Sequence, residues 1–107
     1  MTLMRIREDT ETVQIDVEGH AGYNPGNDIV CAAISTMCYA LINRLQIMYG
    51  HNELADLIVI DDPGDFHITV VKNHGSRQKW YYTREFFVTG MEMIAEQYPD
   101  YLEVKEE

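Results

Sequence analysis

The residues best suited to chemistry fall in one stretch: Gly19-His20-Ala21-Gly22-Tyr23-Asn24-Pro25-Gly26-Asn27-Asp28-Ile29-Val30-Cys31-Ala32-Ala33-Ile34-Ser35. A thiolate is a nucleophile, and an imidazole beside it can act as base and proton donor. The pair can therefore break an acyl bond through a covalent intermediate. Asp28 is a good helix N-cap, because its carboxylate can accept from open backbone N–H groups of the first turn. Cys31 is then the third residue of the helix. There the helix dipole and unpaired N–H groups favour thiolate, and the same groups would stabilise an oxyanion. His20 ends the strand that feeds the loop, and a loop that doubles back brings its imidazole to the sulfur. A plainer reading stands beside this one. Cys31 lies on an apolar stripe, where free cysteine is often simply buried. His20 between two small residues reads as a loop residue, Asp28 as a cap only, and Ser35 as a hydroxyl bonded to the preceding turn.

Cys38 follows Cys31 two turns later on the same stripe. At 1.5 Å per residue their Cα atoms stand roughly 10 Å apart, beyond the ~7 Å that a disulfide spans. Cys38 therefore reads as core. A metal centre is not expected. His20, His51, His67, His74 and the two cysteines offer no pair at zinc-site spacing. Asp61, Asp62 and Asp65 lack a calcium-loop pattern. The glycine-bearing loop lacks the lysine and glycine spacing of a phosphate cradle. Lys72, Arg77, Lys79 and Arg84 read as a solvated face, and no cofactor is implied.

The elements that must position these side chains can be read from periodicity. Leu3 and Arg5 mark a short strand. Val13, Ile15 and Val17 alternate with Gln14, Asp16 and Glu18, as in a half-buried strand. Residues 8–11 form the turn between them. After the loop, residues 19–27, an amphipathic helix of about 20 residues carries Cys31, Ile34, Cys38, Leu41, Leu45 and Met48 on one face and ends near Gly50. Residues 57–60 and 66–71 read as strands joined by turn residues 61–65. Residues 73–76 form a break, with Ser76 as candidate cap. Trp80, Phe87, Met91, Ile94 and Tyr98 share the face of a second helix, stopped by Pro99. Tyr101 to Val104 adds a last short strand before a frayed acidic end. The expected fold is α+β in ββαββα order, a two-layer sandwich: an antiparallel four- to five-stranded sheet with both helices on one face. The bare sheet face and edges would be covered in a homodimer.

Composition bounds the function. At 107 residues the chain is one domain, residues 1–107. Eighteen acids against eight bases give a net charge of −10. That argues against a nucleic-acid binder or an anionic membrane surface and favours a basic or neutral partner. The first residues lack the apolar run of a signal peptide. The apolar segment from Ile29 to Ile42 falls short of the ~20 residues of a bilayer span. A cytoplasmic location is expected.

The block Asp28-Ile29-Val30-Cys31-Ala32-Ala33-Ile34-Ser35 with upstream Gly19-His20-Ala21 resembles the bacterial ribosomal-processing cysteine proteases, the Prp family. The likeness continues more weakly through Phe66-His67-Ile68 and the second helix to Tyr98. The resemblance implies a small α+β homodimer that removes a short N-terminal extension from large-subunit ribosomal protein twenty-seven, with a ribosomal protein precursor as partner. It implies Cys31 as nucleophile and His20 as its base. Asp28, Ala32 and Ser35 would be supporting residues, and Gly22, Tyr23, Asn24, Pro25, Gly26 and Asn27 a loop that moves over the substrate. Two other readings remain open: a phage-type relative processing a capsid or scaffold protein, and a non-catalytic dimeric interaction module.

Overall fold

The computed structural model describes residues 1–62 and 64–107. Pro63, in the expected turn 61–65, lies outside the described residues. The elements are β1 (Thr2–Glu8), β2 (Thr12–Glu18), α1 (Ile29–Gly50), β3 (Leu54–Asp62), β4 (Asp65–Lys72), a 3₁₀ turn (His74–Ser76), α2 (Arg77–Gln97) and β5 (Leu102–Glu106). They form one sheet in the order β3-β4-β2-β1-β5.

The alternation along the strands sets the register. Met4 lies opposite Val17 and Ile6 opposite Ile15, while Val17, Ile15 and Val13 face Phe66, Ile68 and Val70 across the next pair. All eight of these side chains are buried in one cluster with Val30, Ile34, Cys38, Leu41, Leu45 and Met48 of α1 and Trp80, Phe87, Val88 and Met91 of α2. A one-residue slip would turn the whole set outward, so burial fixes the pairing. The β1–β2 turn is held by Asp9 Oδ1, which accepts from the backbone N–H groups of Glu11 (2.9 Å) and Thr12 (2.7 Å).

The four expected strands pair antiparallel, but β5 lies parallel to β1, so the sheet is mixed. The cause is directional. β4 runs the same way as β1, α2 reverses the chain, and β5 resumes the direction of β4 beside the free edge of β1. The acidic end does not fray as expected: Glu106 pairs with Ile6, and the Glu107 N–H donates to Ile6 O at 2.8 Å. Nor does Ser76 cap α2 through its side chain. Asn73 Oδ1 instead accepts from the Gly75 N–H at 3.0 Å, starting the 3₁₀ turn that leads into the helix. β3 begins earlier than expected, at Leu54, because a bulge between Leu54 and Asp56 keeps it in register.

α1 is longer than the apolar segment seen in the sequence. Its 22 residues have the length and hydropathy of a bilayer span. Its buried stripe packs into the domain core. The other sheet face is open. It carries half-exposed Ile58 and Ile60 and a polar network in which Asp16 accepts from Arg7 (3.0 Å) and Gln14 (2.9 Å) and contacts His67 Nδ1 (2.7 Å).

Candidate active site

β2 ends at Glu18, and the chain turns through Gly19 at φ +89°. The Gly19 N–H donates to Gly64 O at 2.9 Å, and its carbonyl accepts from Thr2 Oγ1 at 3.1 Å. The next residue, His20, is exposed, while Ala21 is buried. The Ala21 N–H donates to Cys31 Sγ at 3.2 Å. The loop thus doubles back, and the segment carrying His20 closes on the sulfur. Cys31 is only partly buried, because the core stripe of α1 begins at Val30 and leaves Cys31 turned toward the loop.

His20 and Cys31 together line two cavities. The inner one, of 170 Å³, also takes in Thr2, Ile34, Ser35, Tyr39, Asp62 and Gly64. The outer one, of 390 Å³, lies under Gly22, Pro25 and Gly26, with Asp28 in its wall. Of the residues expected to support the nucleophile, Asp28 and Ser35 border these spaces. Among the described residues Ala32 borders neither; it is exposed, and its carbonyl accepts from Thr36 Oγ1 at 2.8 Å. A groove of 360 Å³ between α1 and α2, lined by Met37, Leu41, Tyr82 and Phe86 among others, holds neither cysteine nor histidine.

Asp28 does more than cap. Its Oδ1 accepts from the Val30 and Cys31 N–H groups at 2.9 Å each. Its Oδ2 accepts from Tyr23 at 2.9 Å and, more weakly, from Asn24 at 3.4 Å. One carboxylate therefore ties the helix start to the loop. Desolvation pushes its carboxyl up, but the N–H groups of Cys31, Asn24, Tyr23 and Val30 outweigh this, so it lies below the ordinary aspartate value. This corrects one expectation. The Val30 and Cys31 N–H groups are engaged by Asp28 Oδ1, and the Ala32 N–H donates to Asp28 O at 3.0 Å. They are not open for an oxyanion. The donor that meets the sulfur comes from the loop.

Sequence reasoning missed the anchors of the loop. Tyr23 packs edge-on against Tyr98 (5.4 Å between centroids) and Tyr101 (5.1 Å), which flank the α2–β5 connection. Asn27 N–H closes a turn onto Asn24 O at 3.0 Å. Tyr39 donates its hydroxyl to Asp61 at 3.2 Å and stands edge-on to Phe66 at the inner cavity. No sequence spacing links Tyr23 to Tyr98 and Tyr101, or Tyr39 to Asp61 and Phe66, since these meet only in the folded chain. Cys38, by contrast, sits where expected. It is fully buried, and burial together with the charge of Asp61 pushes its thiol up to about 12.

Asp16, Glu18 and His67 bring three potential metal donors within 4.8 Å on the open sheet face. Arg7, Gln14 and His67 already bond the Asp16 carboxylate, so this is an ion-pair network. The hydrogen bond to Asp16 raises His67 above the ordinary histidine value. Burial pushes Asp16 up, but the bonds from His67, Gln14 and Arg7 leave it below its ordinary value.

Comparison with known proteins adds to this geometry. The sequence profile of a family described as cysteine protease Prp matches residues 1–103. The ribosomal processing cysteine protease Prp of Bacillus subtilis (strain 168) is 26% identical over 104 residues, covering 94% of this chain and 91% of that protein. Among solved structures, the essential ribosomal processing protease Prp from S. aureus, in complex with a covalently linked product peptide, superposes with a TM-score of 0.79 at 22% identity over all of both chains. SMU.848 from Streptococcus mutans superposes with a TM-score of 0.70 at 25% identity, over 99% of this chain and 93% of that one.

Proposed function

The chain belongs to the Prp family of cysteine proteases, and from that premise we propose that it removes a short N-terminal extension from large-subunit ribosomal protein twenty-seven. Cys31 is the nucleophile and His20 its base. The thiolate attacks the scissile carbonyl carbon, and the C–N bond breaks as the His20 imidazolium gives its proton to the leaving amine. The product is a thioester on Cys31 and a free peptide amine. His20 then takes a proton from water, and the hydroxide displaces the thiolate, releasing the carboxylate product. Asp28 holds the nucleophile's helix turn and the loop in one frame, and Ser35 borders the pocket where the acyl group forms. Residues 22–27 cover the substrate.

The observation that carries this reading is the closure of the His20 segment on the sulfur: Ala21 N–H to Cys31 Sγ at 3.2 Å, with both reactive side chains in one cavity wall. The net charge of −10 suits a basic ribosomal tail. The reading includes a cytoplasmic homodimer, whose second copy would cover open sheet surface such as Ile58 and Ile60, and no nucleic-acid partner.

The test is incubation with the precursor form of that ribosomal protein, followed by mass spectrometry. Loss of the N-terminal extension, abolished in Cys31→Ala, supports the reading. An intact precursor with the folded wild-type protein overturns it. Light scattering should give twice 12.4 kDa; a mass of 12.4 kDa would remove the dimer.

A further inference from the structure

Resting on the reading of His20 as the base, we propose that Thr2 and Gly64 are positioning residues that together fix where the His20 imidazole stands. Neither lies near the Gly19–Ser35 stretch in sequence. Thr2 opens β1, and Gly64 lies in the β3–β4 turn.

Gly19 is the residue whose conformation sets the direction in which the chain leaves β2 toward His20. Its peptide is gripped on both sides. Gly64 O takes its N–H at 2.9 Å, and Thr2 Oγ1 donates to its carbonyl at 3.1 Å. The Thr2 end of that grip is rigid. Thr2 is 2% exposed, and its own N–H is bonded to Tyr101 O at 3.0 Å. The grip on Gly19 therefore joins β2 to two other parts of the sheet.

The second contact is with the ring itself. A methyl group at residue 64 would lie 2.9 Å from both Cε1 and Nε2 of His20. Real carbon contacts do not come that close, so the imidazole lies directly against the Gly64 backbone. Gly64 also has φ +83°, where a side chain is strained. The absence of a side chain at 64 is thus what leaves room for the ring in the cavity that His20 lines with Cys31. The turn acts as a backstop, and the Gly19 grip acts as a hinge pin. A base displaced by a fraction of an ångström loses alignment with the sulfur and the leaving amine, and misplacement of about 1 Å costs about a hundredfold in rate.

The experiment compares Gly64→Ala, Thr2→Val and Thr2→Ser with the wild type and His20→Ala, using cleavage of the extended ribosomal peptide. A second readout is the pH profile of Cys31 alkylation by iodoacetamide, which reports how the imidazole supports the thiolate and which a merely structural defect would leave in place. Gly64→Ala should lower kcat about tenfold to a hundredfold with KM within about twofold, and should move the alkylation midpoint to higher pH. Thr2→Val should act in the same direction more weakly, and Thr2→Ser, which keeps the hydroxyl, should restore both readouts. If Gly64→Ala does not fold, the Thr2 pair decides by itself. Folded variants with wild-type kcat and an unmoved alkylation profile, while His20→Ala is inactive, overturn the positioning role alone. So does a Thr2→Ser variant as impaired as Thr2→Val. Full activity in His20→Ala overturns the assignment of the base, and the positioning proposal with it.

Discussion

At the start of α1, Cys31 is partly buried, faces two cavities and accepts a hydrogen bond from the Ala21 N–H. Seven residues along the same helix, Cys38 is fully enclosed by core side chains, and its thiol is pushed up to about 12 by burial and the charge of Asp61. Residue type and helix are shared, so the difference lies in what each position meets. The first turn of α1 is where a loop arrives, and the middle is where the sheet is covered. The comparison also corrects a simple dipole argument. The N–H groups of Val30 and Cys31 are held by Asp28, so the contact specific to the Cys31 sulfur comes from the loop. The Asp28 carboxylate holds the helix start and the loop together, and on the proposed reading the reactivity of Cys31 depends on that tie.

The most direct way to break this comparison is to delete each sulfur. Cys31→Ala should lower cleavage of the extended ribosomal peptide by at least about a thousandfold, followed by chromatography of the products, while leaving thermal unfolding nearly unchanged. A Cys38→Ala protein that loses cleavage while Cys31→Ala keeps it would reverse the assignment.

Next in size is the tie between the two segments. Asp28→Ala should lower stability through the lost cap, read as a lower thermal midpoint, and slow cleavage about tenfold by loosening the loop. Amide exchange at Tyr23 and Asn24 should quicken, since Asp28 Oδ2 is their acceptor. The pH dependence has a defined sign. The Asp28 carboxyl is lowered in the folded protein, so its contribution is present above the ordinary aspartate value and is lost as pH falls through the lowered one. The stability gap between wild type and Asp28→Ala should therefore shrink in strong acid. A gap that grows there would contradict the capping geometry.

Smaller again is the core cysteine. Cys38→Ala should cost about 1–2 kcal/mol in urea unfolding and leave kcat unchanged. Iodoacetamide on the native wild type should label Cys31 alone, and Cys38 only after unfolding. Equal labelling of both in the folded state would erase the contrast.

The smallest effect is expected on the open sheet face, away from both cysteines. His67 is raised by Asp16, so the pair stabilises the fold fully below the ordinary histidine value and loses that contribution as pH rises through the raised one. The difference in urea midpoint between wild type and His67→Gln should be larger near about pH 5.5 than near about pH 9. Cleavage measured at one pH should barely change. A loss of cleavage would link this face to the site.

The sequence by itself determined the elements and the candidate pair. Period-two alternation at residues 13–17 and steps of three and four along residues 31–48 are local consequences of backbone geometry, and a cap of the Asp28 type acts within its own turn. These features survive in almost any packing, so they could be read without one. It also singled out His20 and Cys31, because the loop between them is short enough to return. What only tertiary structure decided are the contacts made across the sheet. The direction of β5, parallel to β1, depends on which edge stood free when α2 had reversed the chain. The grip of Thr2 and Gly64 on Gly19, the packing of Tyr23 between Tyr98 and Tyr101, and the contact of the His20 ring with Gly64 join the start of β1, the loop after β2, the β3–β4 turn and the α2–β5 connection. Such contacts have no period along the chain. Their distances are fixed by strand order and register, which follow from burying one shared core rather than from the preferences of any single segment.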